Sequence, residues 1–192
     1  MALAAAPLIG AAVGGVAAVL YGLTGALAVV LFWAAVPLFI GEPFATGATW
    51  RIVILLSLLF EWQFFQIAVA ARDPLLVCIA TQAVPRAAVI GLAWISRPAA
   101  TPPRYTQSLN SAGALLVIAQ GIVAAFLTGW FSGALILAAC YLATRLLRVW
   151  AYKNTGGVDQ KTLAYAHRVL EICVLLALSV PLPTAFPTFA IR

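Results

Sequence analysis

The stretch GGVDQKTLAYAHRVLEI, residues 156–172, gathers Asp159, Lys161, His167, Arg168 and Glu171 in a chain of which only 8% is charged. On a helix Ala164, His167 and Glu171 fall at i, i+3 and i+7 and share one face. An imidazole one turn from a carboxylate makes an acid/base couple or part of a metal site. Arg168 offers Glu171 a competing partner at i, i+3, where a guanidinium would neutralise it. Catalytic magnesium centres for phosphate chemistry draw on several carboxylates. Here the five acids are scattered at 42, 61, 73, 159 and 171, so no metal site is expected.

Two more ionisable groups lie inside apolar runs, where insertion of a charge costs roughly 2.5–3.5 kcal/mol and implies a partner or a cavity. Arg86, in TQAVPRAAVIG, follows Pro85, which weakens the local backbone ladder. It is either a guanidinium offered to an anionic ligand or half of an internal ion pair with Glu61 or Glu171. Glu61, in FEWQFFQ beside Gln63 and Gln66, has the chemistry to hold a metal or a proton, or to pair with an arginine. Glu61, Arg86 and Glu171 are therefore the intramembrane polar residues to account for.

The elements that carry these groups must be membrane helices. Hydrophobic residues make up 65% of the chain and mean hydropathy is +1.08, whereas a soluble domain has about 25% charged residues to cover its surface. The expectation is an all-α integral membrane protein, a single domain over 1–192 with about seven spans. Residues 2–40 are too long for one span and break at YGLTG, giving helices over 7–21 and 25–40. The remaining spans are expected over 50–71, 75–95, 112–130, 132–150 and 163–180. GEPFATGAT, the Pro-rich stretch after 95, a tight turn near Gly129 and a polar loop over 152–162 connect them, and PLPTAFPTF stops the last. The N-terminus lacks the basic start of a secretory signal, so its apolar run is expected to stay as a span.

Seven spans place Arg51, Arg97, Arg104, Arg145, Arg148, Lys153, Lys161 and Arg168 on the N-terminal side, against Arg72 and Arg192 opposite. That bias puts the N-terminus in the cytoplasm and the chain in the cytoplasmic (inner) membrane as a multi-pass protein. The net charge of +6 is thus orientation, not nucleic-acid binding: no basic stripe with interleaved aromatics exists. Cys78, Cys140 and Cys173 each lie in an apolar run without C-x-x-C spacing, so neither a disulfide framework nor a zinc site is expected. The six tryptophans fit interfacial belts and packing rather than a cofactor.

Three pieces resemble the cobalamin synthase family, the membrane adenosylcobinamide-GDP ribazoletransferases: ATQAVPRAAVIGLAW with Arg86, ISRPAATPPRYTQSLNSAGALLV with Arg97, and GGVDQKTLAYAHRVLEICVLLAL. The likeness covers about residues 75–180. It implies a helix bundle and a magnesium-dependent transfer with loss of GMP, in which Arg86, Arg97 and Arg104 would bind anionic substrate groups. The chain departs from that pattern at the acidic positions. Lys161 stands where the family's G-G-x-T-G-D has its aspartate, Arg168 takes the first glutamate of the closing pair, and GEPFATGAT replaces the family's acidic loop. Cations there repel a phosphate-bridging ion.

The expectation is a degenerate relative, not an enzyme and without a cofactor. Such a chain would serve as an accessory or structural subunit among membrane lipids and other integral membrane subunits. The Ala- and Gly-rich face of IGAAVGGVAAV permits close helix approach. Two alternatives stand beside it. One is an active transferase with a rebuilt magnesium site on Asp159, His167 and Glu171. The other is a small transporter relaying through Arg86, Glu61 and Glu171.

Overall fold

The computed structural model describes residues 5–25, 48–99 and 110–181. Apart from Gly25, the helix expected over 25–40 lies outside the described residues, as do Glu42, Arg104 and Arg192. Six helices fill the described residues: α1 (Ala6–Thr24), α2 (Ala48–Ala71), α3 (Pro74–Ile95), α4 (Ser111–Phe126), α5 (Trp130–Thr155) and α6 (Gln160–Ser179). The chain is all-helical over these residues, with only an isolated bridge between Pro98 and Val158. By length and composition α3, α5 and α6 are each able to cross a membrane.

Helix starts follow local chemistry. Asp73 accepts the Leu75 N–H at 2.8 Å and Pro74 opens α3 where its missing N–H costs nothing. Asn110 caps α4 through the Gly113 N–H at 2.8 Å. Two expected boundaries move. The turn between α4 and α5 falls at 127–129, because Gly129 takes φ 110, a value open to glycine. The polar loop expected over 152–162 shrinks to 156–159: polarity does not end a helix, and α5 runs on to Thr155 until Gly156 adopts the left-handed conformation at φ 69.

α3 is the axis of the bundle, and each of the other five described helices packs on it. α1 runs antiparallel to it at close range. A Cβ at Gly10 would sit 2.4 Å from the Gln82 carbonyl oxygen, and one at Gly14 would sit 2.5 Å from that of Cys78. The small-residue face expected to admit a neighbouring helix is thus taken by the chain's own α3. The α2–α3 and α4–α5 turns and the Pro98–Val158 bridge fix the remaining directions: α3 and α5 run one way, α1, α2, α4 and α6 the other. α5 is peripheral and presents Tyr141, Leu142, Leu146 and Val149 outward, an apolar surface suited to lipid and not to water.

Each end of the bundle has its own chemistry. At one end Arg97, Arg148, Lys153 and Lys161 gather around the Pro98–Val158 bridge. At the other, Arg72 joins three elements: Nε donates to the Leu178 carbonyl at 2.7 Å, Nη2 to that of Val180 at 3.0 Å, and Nη1 to the hydroxyl of buried Ser132. These bonds satisfy C-terminal carbonyls of α6 that have no partner within the helix, and burial lowers the Arg72 pKa from its ordinary value.

Candidate functional site

Midway along the bundle, α2, α3 and α6 bring their polar residues to one place. Ser57, Glu61, Phe65 and Ala68 form the buried face of α2 at i, i+4, i+8 and i+11. His167, Arg168 and Glu171 lie on the buried side of α6, and Gln82 on that of α3. Arg168 Nη1 donates to Glu171 Oε2 at 2.9 Å and lies 3.4 Å from Glu61 Oε1. His167 Nε2 lies 3.4 Å from Glu171 Oε1. Gln82 Nε2 donates to the same oxygen at 3.1 Å. Arg86 folds back toward the proline break, and its Nη1 donates to the Gln82 carbonyl at 2.6 Å and to Gln82 Oε1 at 2.7 Å.

The electrostatics close on themselves. Two carboxyl groups, Glu61 and Glu171, meet two guanidinium groups, Arg86 and Arg168. Taken as ionised, these four groups cancel, and pairing without net charge is the condition for keeping ionised groups in an apolar interior. Glu171 is 2% exposed and Glu61 1%. Glu61 Oε2 has no hydrogen-bond partner among the described residues.

The i, i+3 pairing of Arg168 with Glu171 forms as the spacing suggests, but the direct ion pair of Arg86 with Glu61 or Glu171 does not. Arg86 reaches toward Glu171 through the Gln82 amide, which holds one on each side. Glu61 pairs with Arg168. Arg168 is not an exposed cation of a helix end, as its place in the chain suggests; it is 6% exposed and points inward. The reason is register: at i, i+3 from Glu171 it shares the buried face of α6. Gln82 is the residue that sequence reasoning passed over, although an amide in an apolar span four residues before Arg86 was a usable signal.

Asp159 does different work. Its Oδ1 accepts the Thr162 N–H at 2.7 Å and the Thr162 hydroxyl at 2.6 Å, the geometry of an N-cap on α6. Lys161 is exposed in the first turn of the same helix. Gly157 lies so close to the other chain segment that a Cβ would meet the Arg97 carbonyl oxygen at 2.7 Å. There the Val158 N–H donates to the Arg97 carbonyl at 2.9 Å, and the Ala99 N–H to that of Val158 at 3.1 Å. Gly156 and Gly157 therefore serve a helix end and a close crossing. Arg97 lines a cavity of about 540 Å3 with Ile95, Arg148, Tyr152 and Gly156; Arg104 lies outside the described residues. Asp159, the His167–Glu171 pair and Arg97 stand in three separate settings. Among the described residues no three of His, Cys, Asp or Glu converge on one point.

Comparison of the chain with protein-family models, with curated proteins and with solved structures finds no match.

Proposed function

We propose that the chain is a multi-pass protein of the cytoplasmic membrane with a cobalamin-synthase-like bundle that no longer performs the transfer. In this reading it acts as an accessory or structural subunit of a larger membrane complex. One observation carries the non-catalytic part. Glu171, the acid retained from the closing motif, is already engaged by Arg168, Gln82 and His167 and is sealed from solvent. A divalent ion bridging phosphates needs fixed, accessible anionic oxygens. Asp159 is drawn off to cap α6, and Lys161 beside it adds a repelling charge.

Seven crossings and a cytoplasmic N-terminus belong to the same proposal. α1 and α2 both run antiparallel to α3, a common direction compatible with the span expected over 25–40, which lies outside the described residues apart from Gly25. The basic end, with Arg97, Arg148, Lys153 and Lys161, is then cytoplasmic. The outward apolar face of α5 is the surface a neighbouring subunit would meet.

Gentle detergent extraction of the tagged chain from its own membrane, followed by mass spectrometry, tests the subunit role. Stoichiometric co-migration with other integral membrane proteins is expected; migration only as a free monomer overturns it. Purified chain given magnesium and the activated corrinoid pair should yield no product. Metal-dependent product lost on Glu171→Gln would establish the active transferase instead, with Asp159, His167 and Glu171 as its site.

A small transporter is the second reading, favoured by Glu61 Oε2, a buried carboxylate oxygen at the end of a polar chain that links three helices. Proton flux in liposomes that disappears in Glu61→Gln would select it.

A further inference from the structure

Two hollows on the α3–α5 side of the bundle share a wall. The first is the 540 Å3 cavity with Arg97, Arg148 and Tyr152. The second, of about 220 Å3, is an apolar groove between α3, α4 and α5, and Ile95 lines both. The same helix stripes form the two. Along α3, Val84, Ala88, Gly91 and Ile95 follow one another at i, i+4, i+7 and i+11 and lead to Arg97. Along α5, Leu137, Tyr141 and Thr144 continue on the same face into Arg148 and Tyr152. α3 and α5 run in the same direction, so both stripes turn from apolar to basic at the same end.

The dimensions and charges select an occupant. From Val84 to Ile95 the groove spans roughly 16 Å at 1.5 Å per residue. That is about half of the ~30 Å hydrocarbon layer, the depth of one leaflet. Gly91 keeps the groove open, since a Cβ there would meet only the Ile118 side chain, at 3.6 Å. At the polar mouth, the Tyr152 hydroxyl accepts the Arg97 backbone N–H at 2.8 Å and Arg148 Nε at 3.3 Å, and the Arg148 guanidinium lies 5.3 Å from the Tyr152 ring centre. Tyr152 thereby holds Arg148 in place through Nε, and the two terminal amino groups of a guanidinium match phosphate oxygens.

We propose that this composite hollow binds one anionic glycerophospholipid from the leaflet at the basic end. Its phosphate meets Arg97 and Arg148, and one acyl chain lies in the groove between α3, α4 and α5. The site rests on membrane embedding alone, not on the subunit role. A zwitterionic lipid fits the groove without the net charge that the mouth selects, and free phosphate has no use for the groove.

The test is native mass spectrometry of the full chain in detergent, titrated with phosphatidylglycerol, phosphatidylcholine or inorganic phosphate. Wild type should retain one phosphatidylglycerol at least tenfold more tightly than phosphatidylcholine. Arg97→Gln with Arg148→Gln should erase that preference and leave phosphatidylcholine unchanged. Gly91→Leu, which fills the groove, should weaken both lipids severalfold; Thr144→Leu replaces it if the first variant fails to elute as a folded species. Equal retention of the two lipids by wild type overturns the proposal. So does undiminished phosphatidylglycerol in the double arginine variant, or its displacement by millimolar inorganic phosphate.

Discussion

Replacing Arg168 with methionine keeps the length of the side chain and removes the cation between Glu61 and Glu171. The three side chains are 7%, 1% and 3% exposed, so solvent screens none of these interactions. At an effective dielectric of about 20, unit charges at 2.9 and 3.4 Å attract by roughly 6 and 5 kcal/mol. Most of that gain offsets the desolvation of the ions, several kcal/mol for each. What the substitution exposes is the other side of the balance, two buried carboxylates facing one another. Arg168→Met should therefore destabilise the fold by about 3–5 kcal/mol. Adding Glu61→Met removes one of the anions and leaves Arg86 against Glu171, again neutral. The double variant should recover to within about 2 kcal/mol of wild type, because an apolar replacement of a buried ion pair is often nearly neutral. Equilibrium unfolding in mixed detergent micelles, followed by tryptophan fluorescence, measures both. A single variant within about 1 kcal/mol of wild type, or a double variant no better than the sum of the singles, would refute the claim that neutrality holds α2 and α6 together.

Asp159→Ala should cost about 1 kcal/mol and Asp159→Asn only a few tenths, since asparagine caps as well as aspartate; a metal ligand would lose function in both, so the contrast in stability, read in the same unfolding assay, separates the roles. Gly14→Leu drives a side chain into the α3 backbone at Cys78 and should cost about 1–3 kcal/mol, while Gly15→Leu, where a Cβ meets nothing within 4 Å, should leave thermal stability nearly unchanged. Arg72→Ala strips the Leu178 and Val180 carbonyls of their donor and should cost about 1.5–3 kcal/mol. Faster hydrogen exchange should then appear at the C-terminal end of α6, where those carbonyls lie; unchanged exchange there would show that the C-terminal end of α6 does not depend on Arg72.

Composition and apolar run lengths alone placed this chain in a membrane and made it helical, because a backbone in hydrocarbon has to satisfy its own hydrogen bonds. The break at YGLTG and the tight turn near Gly129 located helix ends to within a few residues, whereas the polar loop expected over 152–162 did not, since α5 runs on to Thr155. The oddity of Glu61, Arg86 and Glu171 was also legible, since charges in such runs stand out by their cost. The partners of Glu171 on its own helix, His167 and Arg168, were legible from spacing as well; the partners on other helices were not. Whether Arg168 faces a loop or a neighbouring helix depends on the rotation of α6 against α2, and no local pattern encodes that angle. Gln82 became the bridge between Arg86 and Glu171 only once α3 and α6 had packed antiparallel at that depth. The same holds for the basic mouth and apolar groove: Arg97 is far in the chain from Arg148 and Tyr152, and only the common direction of α3 and α5 sets their stripes side by side.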